Sequence, residues 1–91
     1  MRSSALPGAE LVEQGLSDLR ERRESIASLL VSVGATRLAA AGYDVVHPFD
    51  DADHRLYELL SRDDPDSAHG RYNALIRRLV SFERAAECVA R

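Results

Sequence analysis

The C-terminal residues 65–91 have the sequence PDSAHGRYNALIRRLVSFERAAECVAR and decide the fold class. Apolar residues recur there at alternating steps of four and three, the spacing of a helix that packs through one face. These positions, called the seam, are Ala68, Tyr72, Leu75, Leu79, Phe82, Ala86 and Val89. No seam position is charged, so another helix must cover this face. The pattern predicts an all-α protein with a long last helix that begins at Pro65, with Asp64 as its cap.

A second apolar pattern with the same spacing occupies the N-terminal half of the chain. It comprises Val12, Leu16, Leu19, Ile26, Leu30 and Val33, and Arg23 occupies the position between Leu19 and Ile26. This pattern predicts one continuous first helix that ends at Gly34. A break near residues 22–25 is the alternative, because Ser25 is a favoured helix cap and Gly15 weakens the first half.

Short helices are predicted between the two long ones. Residues 36–41 precede Gly42, a residue type that commonly ends helices. The three aspartates within residues 50–53 favour a helix start, since carboxylates stabilise the positive end of the helix dipole. Residues 43–49 are predicted to form an ordered linker or a short strand, because Pro48 keeps His47 out of helical geometry. Residues 1–8 are predicted to be a flexible lead-in, and residues 9–91 a single helical domain.

The two long helices predict a homodimer. A helix of 25 residues is about 37 Å long, so one short helix cannot cover two such rods. We therefore expect a small helical bundle with long first and last helices and short helices between them, completed by two-fold dimerisation. The expected core or interaction face comprises Val12, Leu16, Leu19, Ile26, Leu30, Val33, Tyr72, Leu75, Leu79 and Phe82. A monomeric bundle is the alternative if the first helix is broken.

The composition excludes several classes of protein. The net charge is −3, and all twelve basic residues are Arg, which argues against a general polyanion binder because non-specific nucleic-acid affinity depends on neutralised phosphates. A single cysteine, Cys88, excludes a framework of intrachain disulfides. No apolar run approaches the roughly 18 residues that a membrane helix needs. We therefore expect a cytoplasmic protein.

Arginines of the last helix form the main candidate for anion binding. Arg71, Arg77, Arg78, Arg84 and Arg91 are predicted to share one flank of the helix, the arginine stripe. Such a stripe suits phosphate or an acidic partner. The competing interpretation is pairing across the bundle with Glu13, Glu21 or Glu24.

Arg23 is a separate anion-binding candidate because it interrupts the apolar pattern. A buried guanidinium would need a carboxylate, for which Glu83 is the candidate, or a bound anion. The competing interpretation is that its stem packs on the bundle while its charged head reaches water.

Two acidic clusters end in a histidine, and they raise the question of a metal site. They are residues 50–54, DDADH, and residues 63–69, DDPDSAH, which end at His54 and His69. Oxygen and imidazole groups suit several divalent metals. Both clusters fall at predicted helix starts, however, where the dipole already favours carboxylates. Helix capping is the preferred explanation, and no metal or other cofactor is predicted.

These observations predict a non-enzymatic helical interaction or oligomerisation module with a regulatory or adaptor role. No HExxH, CxxC, GxSxG or phosphate-loop motif is present, so no catalytic residue is assigned. One alternative is a nucleic-acid-binding regulator that uses the arginine stripe. The other is a small helical enzyme acting on an anionic metabolite. The long–short–long helix order with an internal arginine resembles the all-helical chorismate mutases in architecture alone, and no site residue is carried over from them.

Overall fold

The computed structural model describes residues 6 and 8–90, which fold into five α-helices. They are α1 (Ala9–Arg20), α2 (Ile26–Val33), α3 (Ala35–Ala40), α4 (Ala52–Asp63) and α5 (Ala68–Ala90). No strand occurs among these residues, so the linker does not form the short strand that was considered for it. The prediction of an all-α protein is confirmed.

The predicted continuous first helix is wrong, because the chain breaks between α1 and α2. Arg22 takes a left-handed conformation with φ of 57°, and the extended Ser25 begins a new helix. Ser25 Oγ accepts a hydrogen bond from the Ser28 N–H at 3.0 Å, and Ser28 Oγ accepts one from the Ser25 N–H at 2.7 Å. This reciprocal capping box satisfies two backbone donors. Ser25 Oγ also donates to the buried Asp18 at 2.7 Å, so the break is tied to α1.

The break lets α1 and α2 pack against each other closely at Gly15. A Cβ at this position would overlap the carbonyl oxygen of Ala27 and a methyl group of Val31. The helix backbones can approach this far only because glycine has no side chain. Leu19, Leu29 and Leu30 of the two helices are fully buried.

The predicted core face is largely buried. Val12, Leu16, Leu19, Leu30, Leu79 and Phe82 are buried, and Ile26, Tyr72 and Leu75 are half-buried against them. Val33 is the exception, with 36% of its surface exposed. Val33 is the last residue of α2, so this helix does not continue beyond it as the predicted long first helix would need.

The ordered linker between α3 and α4 packs onto the bundle as predicted. Gly42, with φ of 100°, follows the end of α3. The Tyr43 ring lies 5.4 Å from that of Phe82, and the Phe49 N–H donates to Ser32 Oγ at 3.0 Å. The helix start predicted at the aspartates is confirmed, since α4 begins at Ala52 with Asp53 in its first turn, but Asp51 is left-handed and makes no side-chain cap bond.

The long last helix is confirmed, although it begins at Ala68 rather than Pro65. Residues 65–67 form a turn, in which Asp64 Oδ1 accepts from the Asp66 N–H at 3.2 Å. Because α1 and α2 have 12 and 8 residues, α5 is the one long rod among the described residues. The argument that two long rods require a dimer therefore loses its premise.

The N-terminal lead-in falls mostly outside the described residues, which omit 1–5 and 7. Leu6 is half-buried and packs against the core, and its carbonyl oxygen accepts from the Ala9 N–H at 3.2 Å. The lead-in is thus held to the bundle at Leu6.

Candidate functional site

An apolar groove lies between the end of α2 and the middle of α5. It consists of two adjoining depressions of about 510 and 170 Å³ that share Val33 and Ile76. The apolar residues that line the groove, which we call the α2–α5 groove, are Val33, Phe49, Tyr72, Ile76, Leu79 and Val80. Within the described residues, this groove brings together the exposed Val33 of α2 and mostly half-buried apolar side chains of the linker and α5.

Opposite charges border the groove. Asp50, Asp51 and Asp53, before and within the start of α4, line the larger depression. Arg77 and Arg84 are exposed on α5. They lie three residues before and four residues after Val80, so they flank it on one helix face. Neither arginine lines a depression of the groove; the arginine that does is Arg37, in the smaller one.

The structure separates the arginines of the predicted stripe. Arg71 pairs with Asp63 of α4 at 2.7 Å, and Arg78 lines a depression beside Gly8 and Glu10 at the start of α1. A helix turns about 100° per residue, so Arg71 and Arg78 lie beside the buried seam while Arg77 and Arg84 lie on the opposite face of α5. The prediction of a single flank is wrong, and Arg91 lies outside the described residues.

A buried acid lies at the end of the smaller depression. The Glu83 side chain is only 4% exposed, and its Oε1 lies 3.2 Å from Nη1 of Arg37. Arg37 also donates two hydrogen bonds to Glu87, at 3.1 and 2.9 Å. Gly34 leaves room for the Glu83 carboxylate, because a Cβ there would overlap Oε2. Arg37 thus serves two carboxylates, one of which is buried.

Burial raises the pKa of Glu83 above the ordinary value for a glutamate. The Arg37 charge acts in the opposite direction, and the Glu87 charge raises the pKa further. For Arg37 itself, the hydrogen bond to Glu87 is the main cause of a raised pKa. A perturbed carboxyl group in a depression is typical of a functional site.

Arg23 does not pair with Glu83, contrary to the interpretation of a buried Arg23. Its side chain is 61% exposed and lies 2.6 Å from Glu21 and 3.5 Å from Asp18. The break before Ser25 removes Arg23 from the apolar face. Sequence analysis missed Arg37 as the true partner of Glu83. For Glu83 alone, the spacing indicated burial, because this residue lies four positions after Leu79 and three before Ala86, on the buried face.

The two acidic clusters do not converge with their histidines. His54 lies 3.5 Å from Glu58. His69 contacts Asn73 at 3.2 Å and the ring of Tyr57. In the part of the chain that the structure describes, no three His, Cys, Asp or Glu side chains are grouped to hold a metal ion.

The raised pKa of Glu83 predicts pH-dependent stability. The folded protein binds the Glu83 proton more tightly than the unfolded chain, so this contribution is fully present below the ordinary pKa of about 4.3. It is lost as the pH rises through the higher folded pKa. We therefore expect wild type to lose free energy of unfolding relative to Glu83→Gln as the pH rises from about 4 through the folded pKa of Glu83, as measured by urea denaturation.

The matched control for this measurement is Glu58→Gln, which changes an exposed carboxylate. The difference from wild type should vary more with pH for Glu83→Gln than for Glu58→Gln. A difference that stays constant across the pH range for Glu83→Gln would contradict the burial argument.

No family model matches the chain, and no curated protein or solved structure is significantly similar to it. Among the described residues, each helix is too short or too polar to cross a membrane. The α2–α5 groove and the buried Glu83 are therefore the features from which a function can be argued.

Proposed function

We propose that the protein is a non-enzymatic helical oligomerisation module whose α2–α5 groove binds a second copy of the chain. The observation that carries this proposal is an apolar groove in which Val33 is exposed and Tyr72, Ile76 and Val80 are only half-buried within one chain. A two-fold dimer brings the same surface of each subunit together, so the surface must be complementary to itself. An apolar surface meets this requirement, because it can pack against its own copy.

An antiparallel pair of α5 helices fits this surface if the two-fold axis passes near Val80. A residue four positions after the axis then lies level with the residue four positions before it, so Arg84 of one copy would lie level with Ile76 of the other. Such a pair places the same flank of both helices side by side, so the contact is carried by the apolar Ile76 and Val80 rather than by pairing of opposite charges.

The apolar floor supplies the driving force in this proposal. Tyr72, Ile76 and Val80 recur every four residues along α5, the spacing by which a helix presents anchors to a groove. Complete burial of a valine or isoleucine side chain stabilises by about 1.5–3 kcal/mol. Further burial of the exposed Val33 and the half-buried Ile76 and Val80 in each copy therefore favours association.

The two alternative functions have less support. Arg23, Arg37, Arg55 and Arg71 each have a carboxylate partner within 4.0 Å, and the stripe arginines are divided between two faces of α5. A phosphate backbone would therefore meet few arginines together on one surface. The long–short–long helix order that suggested a metabolic enzyme is lost at the break before Ser25.

A cytoplasmic regulatory or adaptor role completes the proposal. Cys88 is a free, exposed thiol, which is compatible with a reducing compartment. The module would join two copies, and surfaces outside the α2–α5 groove would remain accessible to a further protein partner.

The test compares Val80→Glu with Val89→Glu by size-exclusion chromatography with light scattering. The two substitutions are chemically identical and lie on the same helix, but Val89 is 49% exposed on a flank away from the groove. We expect wild type and Val89→Glu at twice the chain mass of 10.1 kDa. Val80→Glu should be monomeric, because the dimer would bury two unpaired carboxylates.

Circular dichroism checks that both variants retain the helical content of wild type. A wild-type protein that is monomeric at its highest soluble concentration would contradict the proposal. Equal dissociation of both variants would place the interface outside the α2–α5 groove.

A further inference from the structure

We propose that the smaller depression of the α2–α5 groove binds a guanidinium or ammonium group on a short aliphatic stem, with Glu83 as its counter-charge. This inference goes beyond self-association and does not require it. Three observations carry it: the size of the depression, the apolar character of its walls and the partial pairing of the buried carboxylate.

The size and walls of the depression select a small group with an apolar stem. Its volume is about 170 Å³, below the roughly 300–1,000 Å³ of pockets that take drug-sized ligands. Val33, Ile76, Leu79 and Val80 contribute to its walls. Lysine and arginine side chains bury their methylene stems against such surfaces while the charged head reaches a polar group.

The partial pairing of Glu83 provides the charge. Arg37 approaches Oε1 of Glu83 at 3.2 Å, whereas it binds Glu87 through two hydrogen bonds. Oε2 of Glu83 lies toward Gly34, which lines the same depression. A buried carboxylate is costly unless its charge and hydrogen bonds are satisfied. The pKa of Glu83 stays raised despite Arg37, so this arginine does not fully offset the burial.

Other ligand classes fit the depression less well. An anion would meet the carboxylate of Glu83, and Arg37, which also lines the depression, is already engaged by Glu83 and Glu87. A neutral apolar ligand would remove further water from Glu83 without supplying a hydrogen bond, which raises the cost of its charge. A cationic hydrogen-bond donor would neutralise the charge of Glu83 and also supply a hydrogen bond to it, through one charge-assisted hydrogen bond.

The test is a titration of the ¹⁵N-labelled protein with n-propylguanidinium, followed by NMR. We expect saturable shifts of the Gly34, Val80 and Glu83 amides. The neutral isostere n-propylurea should bind far more weakly. Glu83→Gln should weaken propylguanidinium binding by about tenfold or more, because a hydrogen bond between charged groups contributes at least that factor. Glu58→Gln, on α4, should leave the affinity unchanged.

The same titration of the Arg77→Gln variant identifies the natural source of the cation. In the proposed dimer, Arg77 of the second copy lies three residues before the axis and faces Glu83, three residues after it. Tighter probe binding by Arg77→Gln would identify this arginine as the occupant, and unchanged binding would assign the site to a cation from another molecule. Either result upholds the site.

The inference is overturned if neither wild type nor Arg77→Gln binds the probe. It is also overturned if n-propylurea binds equally well, or if Glu83→Gln binds as wild type does. These results are independent of the light-scattering test, so failure of the cation site and failure of self-association can be told apart.

Discussion

Gly15→Ala is expected to lower the free energy of unfolding by about 2 kcal/mol. The added Cβ would overlap the Ala27 carbonyl oxygen and a Val31 methyl group, so α1 and α2 would have to move apart. Forced repacking of this kind costs about 1–3 kcal/mol or more. The better helix propensity of alanine, about 1 kcal/mol, offsets only part of this cost. Urea denaturation followed by circular dichroism measures the change.

The matched control is Gly70→Ala, the same substitution in another helix. Gly70 lies within α5, and a Cβ there would meet nothing within 4 Å. We expect this variant to gain about 0.5–1 kcal/mol, because alanine restricts the unfolded chain and favours the helix. If Gly15→Ala were as stable as wild type, the contact at Gly15 would not decide the packing of α1 on α2. The same would follow if Gly70→Ala lost as much unfolding free energy as Gly15→Ala.

Phe82→Ala is expected to cost about 3–5 kcal/mol of unfolding free energy. Phe82 is fully buried, and its ring contacts that of Tyr43. The substitution leaves a cavity where α5 and the linker meet the core. Because small domains have a total stability of about 5–15 kcal/mol, the loss should lower the urea midpoint steeply.

Phe49→Ala provides the comparison, since Phe49 is the other phenylalanine of the chain. Phe49 is half-buried and lies beneath the guanidinium of Arg55 at 5.0 Å. Its N–H bond to Ser32 does not involve the ring. We expect a loss of about 1 kcal/mol, as is usual at partly exposed positions. Equal losses for the two variants would mean that the core is not centred on Phe82.

The proposed dimer and the proposed cation site depend on different residues of the α2–α5 groove. Val80 provides apolar surface for association, whereas Glu83 provides charge for one small group. The substitutions at these positions therefore separate the two proposals. Gly34 connects them structurally, because its missing side chain leaves room for the Glu83 carboxylate.

Local chemistry made much of the fold predictable. The uncharged seam of α5 indicated a long helix, and Gly34 and Gly42 marked helix ends that the structure retains. The first helix shows the limit of this reasoning, because apolar spacing favoured a continuous helix and Ser25 favoured a break. The Ser25–Ser28 box, the bond to Asp18 and the close contact at Gly15 together stabilise the break.

The candidate site was less predictable than the fold. The position of Glu83 on the buried face of α5 was visible in the spacing, but its pairing with Arg37 was not. Arg37 belongs to the short α3, and its distance from Glu83 depends on how α2, α3 and α5 are placed. The predicted arginine stripe failed for a simpler reason, since helical geometry alone puts Arg71 and Arg78 beside the seam and Arg77 and Arg84 on the opposite face of the helix.

By itself, the sequence determined the helical class, the length and apolar face of α5, and several helix ends. These properties depend on interactions within a few residues along the chain. Only the tertiary structure decided the packing of α1 on α2, the α2–α5 groove and the pairing of Arg37 with Glu83. The physical reason is that periodicity specifies which face of a helix is buried, but not which distant helix covers it or at what rotation and height.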